Sequence, residues 1–315
     1  MDFIAQSLDR CLEAAGMDAV DALRCFFVLA AATTISVSIP SSLRSRFLVY
    51  GPRAKTKTTP TPRPSTGLLD YLATWRVPHS YFAQFYIASL LSSLFWAWQL
   101  LTKGTAFLAV ASRLSPEHLA QSMSVHQVVV CWILVTIQAT RRVWESYAFS
   151  KPSSSQMWVV HWILGICFYL ATAVAIWIEG SGQLLFHDIS ASHFNLTIAP
   201  TLRTFLCVPL FLMASGVQHD CHHYLSTLKT YTVPDDHPMF RGVVCPHYGA
   251  ECLIYLSLAI LAAPSGQLAN KTMLACCGFV VVNLAITAKT TKLWYMQTFG
   301  AEVVQGWWLM IPFVY

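Results

Sequence analysis

The sequence is poor in charged residues. Its 315 residues include only 15 acidic and 20 basic side chains, whereas 55% are hydrophobic. A water-soluble globule or a nucleic-acid-binding domain of this length needs a more polar surface. Several apolar runs instead approach the ~20 residues that a helix requires to cross a bilayer. The composition therefore predicts an integral membrane protein with no nucleic-acid partner.

The sequence also lacks a disulfide framework. Its ten cysteines are spread along the chain, mostly inside apolar runs. Cysteines in such surroundings behave as small buried hydrophobes, and their spacing does not indicate pairs. This pattern argues against a secreted fold.

Apolar segments predict an all-α integral membrane protein with about seven transmembrane helices, which we treat as a single membrane domain, 1–315. They span residues 19–40, 80–101, 125–139, 157–178, 199–217, 249–264 and 272–288. The first contains Asp21 and Arg24 and lacks the short basic start of a cleavable signal peptide, so we expect a retained helix. The tail 303–315 is more typical of an interfacial segment than of an eighth span.

Basic residues are concentrated on one side of the predicted membrane. Of the 20 basic residues, 14 lie between spans one and two or in every second connection after that. The positive-inside rule makes this side cytosolic. The opposite side contains two glycosylation sequons, at Asn195 and Asn270, which agrees with a lumenal location. Asn270 is close to the membrane, which disfavours its modification.

A dense polar block interrupts the apolar pattern between spans five and six, on the predicted cytosolic side. In a chain with so few charges, this density of ionisable groups favours chemistry at the membrane edge over simple solvation, although solvation stays open for any single member. The block contains Gln218, His219, Asp220, His222, His223, Lys229, Tyr231, Asp235, Asp236, His237, Arg241, His247 and Glu251.

A metal centre is one interpretation of this block. His219, His222 and His223 form an H-x-x-H-H pattern like the histidine boxes of membrane di-iron enzymes. Two irons require several such boxes, and no other histidine of the chain forms a second one. The cysteines of the block do not match a closed zinc motif either. We therefore predict no metal.

Helical spacing gives a second interpretation. Gln218, His222 and Lys229 recur at intervals that place their side chains on one face of a helix as it leaves the membrane. An amide, an imidazole and a cation on one face suit a polar, anionic ligand.

Ordered motifs between residues 70 and 315 carry a resemblance to a known family. The polar block reads Gln218-x-x-x-His222-x-x-Leu225-x-x-Leu228-Lys229, Tyr231-x-Val-Pro234 and Cys245-Pro-His247-Tyr-x-x-Glu251. Earlier motifs are Val77-Pro-His-Ser-Tyr81-Phe82-x-x-Phe85-Tyr86 and Arg141-Arg142-x-x-Glu145, and later ones are Lys292-x-Trp294-Tyr295 and Ile311-Pro-Phe313. Together they resemble the steroid 5-alpha-reductase family, and within it the polyprenol (polyprenal) reductase branch.

This resemblance implies a seven-helix membrane reductase that uses NADPH, with the cofactor site among the last three spans. Residues 19–178 are then the substrate-binding half, and residues 199–315 are the NADPH-binding half. The sequence contains no G-x-G-x-x-G fingerprint, so a Rossmann domain is not expected. The resemblance also implies an endoplasmic reticulum membrane, with the cofactor site facing the cytosol.

The resemblance implies the site residues as well. The expected cofactor contacts are Arg142, Gln218, His222, Lys229, Tyr231, His247, Glu251, Lys292 and Tyr295. Two residues and one segment depart from the family pattern. Lys292 and Gln84 stand where histidines are usual, and the segment 303–308 replaces a basic run, which weakens the case for how a 2′-phosphate is held.

Hydride chemistry restricts the substrate class. An isolated alkene accepts hydride poorly, whereas an alkene conjugated to a carbonyl accepts it at the β-carbon as negative charge moves to oxygen. We therefore expect an enal or enone as substrate. The resemblance to the polyprenol reductase branch implies polyprenal, an isoprenoid lipid whose reduction leads to dolichol and so to protein glycosylation. A 3-oxo-steroid or other lipid enone is the alternative substrate, and a non-catalytic lipid-binding protein is the second alternative.

The enolate oxygen that forms in such a reaction needs a hydrogen-bond donor. Candidate donors are Tyr86, Gln84 and a protonated Glu145, and we expect Phe85 beside the substrate. Two alternatives stay open. Tyr86 suits an interfacial aromatic position, and Glu145 suits an ion pair with a neighbouring arginine.

Overall fold

The protein is described here by a computed structural model that covers residues 2–48, 67–151, 154–194, 201–229 and 232–315. Within these ranges the α-helices are α1 (Asp2–Ala15), α2 (Ala19–Ser38), α3 (Ser41–Leu43), α4 (Leu68–Ala73), α5 (Ala83–Thr102), α6 (Thr105–Ala111), α7 (Pro116–Ala120), α8 (Val125–Ala148), α9 (Val159–Ala175), α10 (Ser181–Phe186), α11 (Leu202–Thr227), α12 (Pro246–Leu261), α13 (Lys271–Phe299) and α14 (Ala301–Val304). Two short strands, β1 (Arg76–Pro78) and β2 (Gln156–Trp158), pair antiparallel with Val77 opposite Met157.

A long helix lies in each predicted apolar segment, namely α2, α5, α8, α9, α11, α12 and α13. Among the described residues, four stretches are long and apolar enough to cross a membrane: Ala19–Ser38, His79–Thr102, Val159–Phe186 and Lys271–Phe299. Large apolar side chains such as Leu29, Trp98 and Met213 are exposed on the outer faces of the helices, as lipid contact requires. The prediction of an all-α, multi-pass membrane protein is confirmed.

Side-chain caps explain where several helices begin. Ser124 accepts a hydrogen bond from the amide of Gln127, and the Gln127 side chain accepts one from the amide of Ser124, which forms a capping box at the start of α8. Thr201 caps α11 in a similar way, through the amide of Thr204. The helix α8 then continues to Ala148, beyond the predicted end of its apolar segment at 139.

The long helices pack into one bundle. The helix α11 lies along α12, α12 packs on α13, and α13 packs along α2. On the other side α5 packs between α8 and α9. A continuous cluster of buried apolar side chains, which includes Phe27, Phe168 and Leu258, joins these helices. The bundle therefore brings the N-terminal and C-terminal spans together around one interior.

A buried ion pair closes one end of this bundle. Arg24 of α2 donates from Nη2 to Glu179 at 2.9 Å, and Glu179 is almost fully buried. The amide and hydroxyl of Thr272 also donate to Glu179, at 2.9 and 2.5 Å. Because each partner comes from a different segment, this network ties α2 and α13 to the residues that follow α9.

Asp18 adds a helix cap next to this network. It accepts hydrogen bonds from the amides of Val20 and Asp21, and His118 Nδ1 lies 2.5 Å from its second oxygen. Burial alone would raise the pKa of Asp18. The hydrogen bonds from His118 and from the amides of Ser115 and Asp21 outweigh burial and lower this pKa to about 2.

Asn270, in one of the two sequons, is the N-cap of α13. Its side chain accepts a hydrogen bond from the amide of Met273 at 2.8 Å and donates to the carbonyl of Ala262 at 3.3 Å. The residue is fully buried, so the folded protein has no space for a glycan there. The other sequon residue, Asn195, lies outside the described residues.

Candidate active site

A cavity of about 340 Å³ opens between the helices at the end of the bundle opposite to Glu179. Side chains from α2, α5, α8, α9, α11, α12 and α13 line it. Its polar wall contains Tyr86, Arg142, Gln218, His222, His247 and Glu251. Its apolar wall includes Phe82, Phe85, Leu164, Phe168, Phe279 and Leu284. A space with one apolar wall and a few converging polar groups is the usual form of a ligand site.

Arg142 and Tyr86 form a close pair on the polar wall. Arg142 Nη2 donates to the Tyr86 hydroxyl oxygen at 2.6 Å, and the guanidinium carbon lies 4.5 Å from the centre of the Tyr86 ring. The pair joins α8 to α5, and both side chains line the cavity. The side chain of Tyr169 is hydrogen-bonded to Tyr86 as well.

Glu145 holds the cations of this wall in place. Its carboxylate accepts hydrogen bonds from both Arg141 and Arg142. His219 Nδ1 and His222 Nδ1 lie 2.7 and 3.0 Å from its two oxygens. Glu145 is 2% exposed and does not line the cavity. A carboxylate with this many donors is an ion-pair centre, and its role as a proton donor stays a prediction with little geometric support.

An amide network continues from this ion pair. Gln138 Nε2 donates to Gln218 Oε1 at 2.8 Å, and Ser215 donates to Gln138 Oε1 at 2.8 Å. Arg141 donates to the side-chain oxygens of both glutamines. These contacts fix the Gln218 side chain between α8 and α11, and they occupy its carbonyl oxygen.

His222, His247 and Glu251 also belong to the polar wall. The rings of His222 and His247 are 5.3 Å apart. His247 is buried, and its Nδ1 has no hydrogen-bond partner in the described part of the chain. Glu251 is partly buried and lines the cavity with it. Buried polar groups normally have partners, so His247 Nδ1 is a candidate ligand contact.

A glycine shapes the apolar wall. Gly165 of α9 faces Phe85 of α5 so closely that a Cβ atom on Gly165 would lie 2.6 Å from the Phe85 ring. Phe85 also packs on Phe82 and Tyr169, with ring centres 5.0 and 6.2 Å apart. The predicted place of Phe85 beside the substrate therefore agrees with a tightly set aromatic surface.

Several predicted site residues lie outside the cavity. Gln84 accepts a hydrogen bond from Trp162 Nε1 at 3.0 Å instead. Lys229 is exposed just after the end of α11. Tyr295 is buried against Trp294 and Phe299, and is not among the cavity residues. Their roles as ligand contacts remain predictions.

Lys292 has a structural contact in place of the expected one. Its ammonium donates to the backbone carbonyls of Gln305 at 3.0 Å and Trp307 at 2.6 Å. It therefore ties α13 to the C-terminal segment. Tyr231 lies outside the described residues.

Other residues of the site were not among those predicted from the sequence. His219 was considered as part of a histidine box, but it contacts Glu145. Tyr169, Tyr255 and Asn283 line the cavity and were not singled out. Each is a polar side chain inside an apolar run, which is a usable signal for a function within a span. Their position inside the bundle depends on packing that one sequence does not reveal.

The polar wall fits the nicotinamide end of a dinucleotide. A carboxamide needs both a donor and an acceptor. His247 Nδ1 has no partner among the described residues, and the Glu251 carboxyl group lines the cavity with it. The cations available for phosphates are fewer. Arg142 is engaged with Glu145 and Tyr86, while Lys292 is engaged with backbone carbonyls.

Comparison with known proteins covers most of the chain. Residues 156–315 match the family model described as 3-oxo-5-alpha-steroid 4-dehydrogenase. Polyprenal reductase 1 of Oryza sativa subsp. indica is 26% identical, over 96% of this chain and 100% of that protein. Polyprenal reductase of Saccharomyces cerevisiae is 27% identical, over 89% of this chain and 90% of that protein. Polyprenal reductase of Rattus norvegicus is 27% identical, over 71% of this chain and 74% of that protein.

Proposed function

The chain belongs to the 3-oxo-5-alpha-steroid 4-dehydrogenase family, whose members are reductases acting on a carbon–carbon double bond, and we propose that it reduces the α-isoprene double bond of polyprenal with NADPH. The product would enter dolichol synthesis and so serve protein N-glycosylation. The proposal covers a seven-span protein of the endoplasmic reticulum membrane, with its cofactor site facing the cytosol.

One structural observation carries this proposal. A single cavity has an aromatic and aliphatic wall on one side and the Tyr86–Arg142 pair with His247 and Glu251 on the other. The apolar wall suits an isoprenoid chain, and the polar wall suits a nicotinamide and a carbonyl. The names of relatives from plants, yeast and rat support polyprenal as the substrate.

Tyr86 is the proposed donor to the substrate carbonyl. When bound, the nicotinamide supplies hydride to the β-carbon of the enal. Tyr86 stabilises the negative charge that develops on the carbonyl oxygen, because its hydroxyl lines the cavity and can donate to that oxygen. Arg142, which contacts the Tyr86 oxygen, stabilises a phenolate if the proton is transferred.

Glu145 is proposed as a positioning residue. Its carboxylate holds Arg142 by an ion pair and His222 by a contact of 3.0 Å. These two side chains reach the cavity, whereas Glu145 does not. Glu145 therefore acts on the reaction through the orientation of Arg142 and His222.

The cofactor is proposed to lie between α11, α12 and α13. His247 and Glu251 would contact the carboxamide, and His222 and Gln218 would line the path toward the ribose. Residues 199–315 then form the NADPH-binding half, while Phe85 and its neighbours in residues 19–178 line the substrate half.

Purified protein in lipid nanodiscs can test this function directly. Incubation with NADPH and polyprenal should oxidise the cofactor and give the saturated aldehyde. A parallel reaction with a 3-oxo-4-ene steroid tests the alternative substrate that the family name suggests. Turnover of the steroid alone would overturn the polyprenal assignment. Absence of both turnover and NADPH binding would leave the non-catalytic lipid-binding alternative.

A further inference from the structure

A second, smaller cavity lies directly behind the polar wall. Its volume is about 30 Å³. The side chains that line both cavities are Tyr86, Arg142, Tyr169, Glu251 and Tyr255. These five residues form a wall one side chain thick, which separates the two spaces.

The size of the second cavity fits a buried water molecule. A cavity needs roughly 10–15 Å³ of such volume to hold one water, and that water needs two to four polar partners. The second cavity exceeds this volume. Its walls contain polar side chains from four helices, among them Ser89, Gln138 and Thr172. Purely apolar cavities stay dry, but this one is not apolar.

One polar group beside this cavity has no partner, because Arg142 Nε is buried without an acceptor in the described ranges. Ser89 is buried and lines the second cavity, and Tyr86 and Glu251 line both cavities. One water can accept from Arg142 Nε and from a protonated Glu251, and donate to the oxygens of Tyr86 and Ser89.

We propose that the second cavity is a water site that returns a proton to Tyr86 in each turnover. This inference rests on the proposed function. Saturation of the double bond consumes one hydride and one proton, and Tyr86 gives its hydroxyl proton to the enolate oxygen. The enol then becomes the aldehyde as the α-carbon gains a proton and the oxygen loses one.

The return of the proton balances the cycle. The Tyr86 phenolate takes a proton from the buried water, and the resulting hydroxide takes one from the carboxyl group of Glu251. Glu251 regains its proton from solvent through the main cavity after product leaves. Each turnover therefore consumes one solvent proton and restores Tyr86, the water and Glu251. Arg142 stabilises the negative charge while it resides on Tyr86.

A substitution that fills the second cavity without changing the main cavity tests whether the second cavity is a water site. Ala139 of α8 is buried, and it lines the second cavity but not the main cavity. Ala139→Val adds two methyl groups, which take the place of the water. We expect kcat for polyprenal to fall by at least about tenfold, because the proton step becomes limiting. The solvent isotope effect on kcat in D₂O should rise, while the Kd for NADPH stays within about twofold.

Ala148→Val is the matched control, since it is the same change on an exposed position of the same helix. It should leave kcat, the isotope effect and the cofactor Kd unchanged. If Ala139→Val keeps wild-type cofactor affinity, kcat and isotope effect, the water site has no role in proton return, and the proposal is overturned.

Ser89→Ala provides a second test in case Ala139→Val does not fold. It removes one water partner without adding volume, so a raised solvent isotope effect is again expected, and a wild-type value would count against the proposal. A high-resolution structure of the wild-type protein gives a second readout, which should show water within hydrogen-bond distance of Ser89 and Glu251. If wild-type protein does not reduce polyprenal, the proposed function fails, whereas the water density is judged independently.

Discussion

The Arg142 guanidinium contacts Tyr86 twice, once by a hydrogen bond of 2.6 Å to the hydroxyl oxygen and once across the ring face at 4.5 Å. The first contact sets the direction of the tyrosine hydroxyl, and the second restricts rotation of the ring. Glu145 in turn holds Arg142 from behind. These contacts hold the Tyr86 side chain in one orientation at the junction of the two cavities.

Tyr86→Phe tests the donor role because it removes only the hydroxyl. Loss of one donor to a developing oxyanion costs about 100-fold or more in rate, so kcat for polyprenal should fall by that factor. The affinity for NADPH should change little. Tyr81→Phe is the matched control, since Tyr81 is exposed and does not line the cavity. Equal kcat values for the two variants would exclude Tyr86 as the donor.

Glu145→Gln tests the positioning role. The change leaves two half-buried arginines without the buried carboxylate that they share, and breaking a buried pair costs about 3–5 kcal/mol. We expect a lower thermal unfolding midpoint in detergent, together with loss of activity. Glu117→Gln, at an exposed position, should unfold like the wild type. A Glu145→Gln protein of normal stability that is inactive would instead favour a direct proton-donor role.

Two adjacent histidines provide a test of the cofactor site. His222 lines the cavity, whereas His223 is exposed and packs on Phe149, with ring centres 5.5 Å apart. His222→Ala removes a polar contact worth about 1–3 kcal/mol, so the Kd for NADPH should rise about tenfold or more. His223→Ala should bind NADPH like the wild type. Identical affinities, measured by fluorescence titration, would remove His222 from the site.

Gly165→Ala tests the apolar wall. The added methyl group would lie 2.6 Å from the Phe85 ring and force that ring toward the cavity. Overpacking of this kind costs about 1–3 kcal/mol, so kcat/KM for polyprenal should fall about tenfold while NADPH affinity is kept. Gly278→Ala is the control, because nothing lies near its Cβ position. An unchanged kcat/KM would show that substrate does not reach Phe85.

The cap at Asp18 predicts a pH dependence of stability. The pKa of Asp18 is lowered to about 2 from an ordinary value of 3.8. A lowered folded-state pKa stabilises the protein above pH 3.8, and this contribution is lost as pH falls from there through 2. Asp18→Asn keeps a capping oxygen but removes the titration, so its unfolding midpoint should vary less with pH in this range. Parallel acid unfolding curves for both proteins would contradict the prediction.

The long helices were predictable because apolar length and capping residues agree along most of the chain. The C-terminal end of α8 was not predictable in this way. The apolar pattern stops at 139, whereas the helix continues to Ala148. The spacing of Arg141, Arg142 and Glu145 allowed an ion pair to be predicted, but hydropathy gave no indication that these residues would continue the helix within the bundle. Hydropathy measures each residue alone and misses such pairing.

In the site, the sequence predicted residue types better than it predicted their contacts. The helical spacing predicted one face shared by Gln218, His222 and Lys229. Gln218 and His222 both line the cavity, whereas α11 ends at Thr227 and Lys229 is exposed beyond it. Lys292 matched a family motif, yet its ammonium contacts carbonyls 13 and 15 residues later in the chain. A motif gives the residue type, but the partner depends on how the C-terminal segment returns to α13.

The buried cap at Asn270 has a consequence for biogenesis. The same side chain that would carry a sugar is needed to start α13, so glycosylation and correct packing of this helix exclude each other. Any molecule that acquires a glycan at Asn270 must have been modified before α13 packed, and it cannot reach the native state afterwards. A glycan at Asn270 would therefore mark a molecule in which α13 had not packed, and a mobility shift on a gel would reveal it.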